Sequence, residues 1–158
     1  MLGYDIDKML FRIPAEKHSY EEITEILNNH PEVEFVSLVG IDIAGHDTDE
    51  KIPVKLFLED IDKILGHGVQ TDGSSVNLPL IAALNNAKVD IIPDMDVHWY
   101  VDYNFRNIGF KTGLPVGTLR IPSFLVHNDD FDCGSRVVLR DALECVKEEL
   151  LDELRKHP

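Results

Sequence analysis

Between Val97 and Phe105 the chain alternates. Val97, Trp99, Val101, Tyr103 and Phe105 are apolar or aromatic, and His98, Tyr100, Asp102 and Asn104 stand between them. A period of two sorts these residues onto the two faces of a strand, and no helix gathers them into one stripe. One strand with an apolar face needs partners, so the chain has to build a sheet. From Val33 to Ile43 the odd positions Val33, Phe35, Val39, Ile41 and Ile43 repeat the pattern and predict a second strand with that face buried. Gly45-His46-Asp47-Thr48-Asp49 reads as a turn, and Lys51 to Leu56 returns as the other arm of a hairpin. Further strands are expected at Lys88–Ile92 and near Val116–Val126, where Pro122 favours an edge or bulged position.

Helices flank this strand-rich middle. Ser19-Tyr20-Glu21-Glu22 is a capping box, and Tyr20, Ile23, Ile26 and Leu27 share a face before Pro31 stops the helix. Leu58, Ile61, Ile64 and Leu65 mark a short helix with Gly66 as its left-handed stop, followed by an exposed loop over residues 68–75. Ser135 opens a long helix in which Leu139, Ala142, Leu143, Val146, Leu150 and Leu154 recur at helical spacing. Its end, Arg155-Lys156-His157, suits the negative pole of the helix dipole. The expectation is an α+β domain, a curved mixed sheet with helices on one side and a C-terminal exit helix. Such an exit helix is expected to lead into a second domain that this chain does not include.

Charge narrows the partners. With 29 acidic against 15 basic residues the net charge is −14, and no basic stripe exists to displace counterions from a phosphate backbone, so nucleic acid is excluded as a partner. No run approaches the ~18 apolar residues of a membrane span, and the start lacks a signal-peptide pattern, so a cytoplasmic protein with no membrane partner is expected. Cys133 and Cys145 fit neither a CxxC pair nor a zinc-finger spacing; both are read as reduced, Cys145 as core filling and Cys133 in a loop.

Thr71-Asp72-Gly73-Ser74-Ser75 is the most chemical-looking segment, because a carboxylate beside a glycine and two hydroxyls can project charge into a cleft; a plain Asp-Gly turn is the default alternative. Neither serine sits in a GxSxG elbow. Asp94, Asp96 and His98 alternate and would share a face able to hold a divalent cation if a strand began at Pro93, or else form a polar turn. Asp47-Thr48-Asp49-Glu50 and Asn128-Asp129-Asp130-Phe131-Asp132 lack the Gly and Glu of an EF-hand loop and read as solvated loops. Gly66-His67-Gly68 is an incomplete phosphate-loop pattern, so no nucleotide site is encoded locally.

Taken in order, the segments Phe35-Val36-Ser37-Leu38-Val39-Gly40-Ile41-Asp42-Ile43-Ala44-Gly45, Lys51-Ile52-Pro53, Asp72-Gly73-Ser74-Ser75, Pro93-Asp94 and Ser135-Arg136-Val137-Val138-Leu139-Arg140 resemble the N-terminal β-grasp domain of glutamine synthetase, over about Val33 to Leu154. The resemblance implies a β-grasp domain at 33–134, an N-terminal extension with a short helix at 1–32, and at 135–158 a helix leading toward a missing catalytic domain. It implies membership of an enzyme that ligates ammonia to glutamate using ATP and Mg2+ or Mn2+, with none of these cofactors bound by this domain alone. Asp72 would reach into a neighbouring subunit's active site to attract ammonium and take its proton, with Ser75 shaping the same site. The implied partners are the chain's own catalytic domain, neighbouring subunits of a homo-oligomeric ring, ammonium and glutamate. Thr71, Asp96 and His98 depart from the family's usual residues, which marks a divergent subfamily. The chain alone is expected to be inactive. The competing readings are a related ligase for another amine and a stand-alone β-grasp binding module.

Overall fold

The computed structural model describes residues 5–72, 76, 88–130 and 134–156. In chain order they form β1 (Arg12–Ile13), α1 (Tyr20–Asn29), β2 (Val33–Ile41), β3 (Asp47–Pro53), α2 (Val54–Glu59), α3 (Ile61–His67), β4 (Val69–Asp72), β5 (Lys88–Pro93), β6 (Trp99–Ile108), β7 (Pro115–His127) and α4 (Ser135–Lys156). The architecture is α+β and β-grasp-like, as expected.

β7 organises the sheet. Its first half pairs antiparallel with β6 and parallel with β2, and its last five residues, Ser123–His127, pair antiparallel with β5. The path runs β1-β6-β7-β2-β3, and β4 joins through β5, so the sheet is mixed. Pro122, for which an edge or bulged position is expected, lies inside the most heavily paired strand. It falls between the last β6 pair, Tyr100 with Arg120, and the first β5 pair, Pro93 with Ser123. A proline has no amide hydrogen to give a ladder, and the position where one partner hands over to the next tolerates that loss.

β2 corrects a second expectation. Val36, Leu38 and Gly40 are buried, whereas Phe35 and Val39 are half-buried and Ile41 and Ile43 exposed. An irregularity between Val33 and Phe35 shifts the register by one residue, so Val33 joins the even-numbered residues in the core. Period two cannot reveal such a phase change. The core gathers Ile13, Ile23, Leu27, Val36, Leu38, Phe57, Ile61, Ile64, Val89, Ile91, Trp99, Leu119 and Ile121. Residues before Val33 thus contribute both a strand and core side chains.

Across the other face run polar rungs. Lys51 stands over the Phe35 ring, the Ser37 hydroxyl donates to Asp49, and Arg120 pairs with Asp47 and Asp49. β3 stops at Pro53, where α2 begins, rather than running to Leu56. In α1 the Ser19 hydroxyl oxygen accepts from the Glu22 amide at 3.3 Å and its proton goes to the Glu22 carboxylate at 2.7 Å. Ile23 and Leu27 are buried as expected, while Tyr20 is exposed.

The helix expected to stop at Gly66 is two helices, and the stop is Gly68. Its φ of 70° and ψ of −163° lie in a region essentially restricted to glycine. A Cβ at Gly68 would strike the Ile91 carbonyl group. The close approach lets the chain turn from α3 directly into β4. Gly68→Ala should therefore strip amide-exchange protection from Val69–Asp72 and lower stability by about 2 kcal/mol or more, read by hydrogen exchange and urea titration.

Candidate functional site

Asp72 is the last residue of β4. The segment expected as an exposed loop is a strand as far as Asp72, because Val69 to Asp72 pair antiparallel with Ile91 to Lys88. Val69 and Thr71 are half-buried, and Gln70 and Asp72 project to solvent. Lys88 stands opposite Asp72 in the ladder. Val76, four residues on, is buried in the core. The carboxylate thus leaves a paired strand end close to a buried anchor. Gly73, Ser74 and Ser75 lie outside the described residues, and with them the role expected of Ser75.

Beside β4 runs a groove of about 450 Å³, with Ile52, Ile64 and Val69 along it and Asp60, Lys63 and Asp90 at its polar positions. Among the described residues no three His, Cys, Asp or Glu side chains come together as a metal site. Gly66-His67-Gly68 closes α3.

Asp94, Asp96 and His98, read as a possible cation set, do not converge, because residues 94–98 form an excursion between β5 and β6 rather than a strand. Asp94 is buried: its Oδ1 accepts from the Asp96 amide at 3.0 Å and its Oδ2 from Arg136 Nη2 at 2.6 Å. Its carbonyl accepts the Trp99 indole N–H at 2.9 Å. His98 Nδ1 accepts instead from the Ala15 amide. Asp94 and Arg136, 42 residues apart, come from two of the motifs that carried the family resemblance.

Asp94 and its neighbours hold the foot of α4. The Arg136 guanidinium also lies over Phe124, Ser135 donates to the Ile41 carbonyl, and Val137 is the buried side chain of the helix. Beyond that first turn the apolar stripe is open, with Leu139, Leu143 and Val146 each 61% exposed. Cys145, expected to fill the core, is exposed on the same helix; Cys133 lies outside the described residues.

Asp47-Thr48-Asp49-Glu50, expected as a solvated loop, is paired in β3. Asp42 is buried and accepts from the Ala44 and His46 amides at 2.9 Å each, with His46 Nδ1 at 3.3 Å, which shapes the β2–β3 turn around Gly45. Asn128 and Asp129 both take positive φ in the turn after β7.

A buried carboxylate escaped sequence reasoning. Glu32 is 2% exposed and receives the Leu10 amide at 3.2 Å and His30 Nδ1 at 2.9 Å. The Tyr103 hydroxyl donates to the Leu10 carbonyl at 2.8 Å and lies 3.3 Å from the same carboxylate. Nothing local marks Glu32, since Tyr103 is 71 residues away. Burial, and then the Glu32 charge, push the Tyr103 phenol well above its ordinary value, so the folded chain keeps its proton where the unfolded chain loses it. Folding then binds more protons, and stability falls as pH rises past the unfolded phenol value of ~10. Tyr103→Phe should flatten that alkaline slope, measured by urea midpoints between about pH 9 and 11.

No family model matches the sequence, and no curated protein matches it. Solved structures do match the fold. A cryo-EM structure of Plasmodium falciparum glutamine synthetase superposes with a TM-score of 0.58 and 21% identity, over 90% of this chain and 24% of that one. GmaS in a complex with ADP gives 0.51 and 17%, over 79% of this chain and 25% of that one. The chain therefore spans about a quarter of the length of the structures it matches. At these identities the likeness speaks for the fold.

Proposed function

We propose that this chain is the N-terminal domain of a glutamine-synthetase-type ligase, and that Asp72 completes an active site formed with a neighbouring subunit. The observation that carries the reading is the superposition of 90% of the chain on part of a glutamine synthetase. The ordered motifs add support, since Asp94 and Arg136 form one ion pair at the foot of the helix that leads out of the domain.

In this reading the Asp72 carboxylate attracts ammonium and accepts one of its protons. The freed nitrogen lone pair then attacks the γ-carboxyl carbon of glutamate activated as an acyl phosphate, so that the C–N bond forms as the C–O bond to phosphate breaks and phosphate leaves. In this reading ATP and a divalent metal bind elsewhere than on this domain. Both would belong to the remainder of a longer, cytoplasmic, ring-forming enzyme, a heterologous arrangement in which each subunit lends Asp72 to the next.

The exposed stripe of α4 favours one other reading, a stand-alone module that docks a protein partner through that helix. An immunoblot of source cells separates the two: a product far above 17.9 kDa fits the ligase, and a band at that mass fits the module. In the longer product, Asp72→Asn should lower ammonia-dependent turnover by about 100-fold or more while ATP binding stays within about twofold. Unchanged ammonia saturation would remove Asp72 from the reaction. Efficient use of bulky amines would instead mark a ligase for a different amine.

A further inference from the structure

The short turn Pro14–His18, between β1 and α1, is tied to the 94–98 excursion through two imidazoles. The Ala15 amide donates to His98 Nδ1 at 3.1 Å. An amide N–H can only donate, so His98 Nδ1 carries no proton and the ring is neutral. His18 is 7% exposed and stacks on Trp99, with ring centroids 3.7 Å apart and planes 22° from parallel. Its Nδ1 donates to the Met95 carbonyl at 2.9 Å, while its Nε2 is buried with no hydrogen-bond partner among the described residues.

We propose that Pro14–His18 is an acid-released strap, closed when His18 and His98 are neutral and opened when they are protonated. A proton on His98 Nδ1 sets two N–H donors against each other where one bond stood. A proton on His18 Nε2 places a buried cationic N–H where nothing receives it, a state that proteins avoid. The indole face attracts a cation and keeps the stack itself from opposing the change. No carboxylate compensates either ring among the described residues: the imidazoles that face one are His30, on Glu32, and His46, on Asp42. The charged neighbours along the chain, Glu16, Lys17 and Asp96, are exposed, and Asp94 is engaged with Arg136.

Amide exchange at about pH 7.5 and about pH 5, expressed as protection factors to cancel the intrinsic pH effect, tests the proposal on the whole chain. Protection at Ala15 and at Lys17, whose amide donates to the Pro14 carbonyl at 2.9 Å, should fall about tenfold in acid, while Val36 and Leu119 in the core change by less than about twofold. In His98→Asn, whose side-chain oxygen can accept from Ala15 and cannot be protonated, the fall at Ala15 should shrink to about twofold or less. Equal protection at the two pH values, or an undiminished fall in the variant, overturns the strap. Should the variant not fold, the emission of Trp99, the single tryptophan, decides with the unmodified chain. An emission change with the same midpoint as Ala15 exchange supports the strap, and one that titrates while Ala15 stays protected overturns it.

Discussion

The backbone ladder of β7 is the constraint on which the other elements depend. One strand of 13 residues serves three partners, β2 along one stretch and β6 and then β5 in succession. Each partner brings its own layer: β2 carries β3 and the helices that pack on Val36 and Leu38, β6 carries β1, and β5 carries β4. Asp72 is therefore placed through two ladders in series, β7 to β5 and β5 to β4. A carboxylate positioned this way inherits the order of the sheet, although it sits at the surface.

The five residues between β5 and β6 exist because those strands run in the same direction against consecutive stretches of β7. The chain leaves the ladder after Pro93 and rejoins it at Trp99. Freed from pairing, the excursion takes up contacts on several sides. The Asp94 amide donates to the Pro122 carbonyl at 2.8 Å, its carboxylate holds Arg136, and Met95 and His98 hold the turn before α1. The turn before α1 and the first turn of α4 thus meet at one polar junction.

Much of the fold was legible because strands and helices sort apolar residues by different periods. The alternation through Trp99, Val101 and Tyr103, the Ser19 cap and the repeat in α4 all led to the right kind of element. What failed was decided by distant residues. The buried face of β2 turned on a one-residue bulge, β4 on pairing with β5, and Pro122 on a handover between partners. The spacing of Asp94, Asp96 and His98 was visible, but their partners Arg136 and Ala15 lie far along the chain. At Asp72 the type of residue was legible and its strand was not. Glu32 left no local trace because its burial is created by Leu10 and Tyr103.

α4 has 22 residues, and at 1.5 Å per residue it reaches roughly 33 Å. Its restraints lie in its first turn, so it behaves as a lever with a short grip. A tilt of about 10° there would carry the far end through roughly 6 Å, the scale of one helical turn. The direction of that end is set by the geometry around Asp94, Phe124 and Ile41, at the opposite end of the helix.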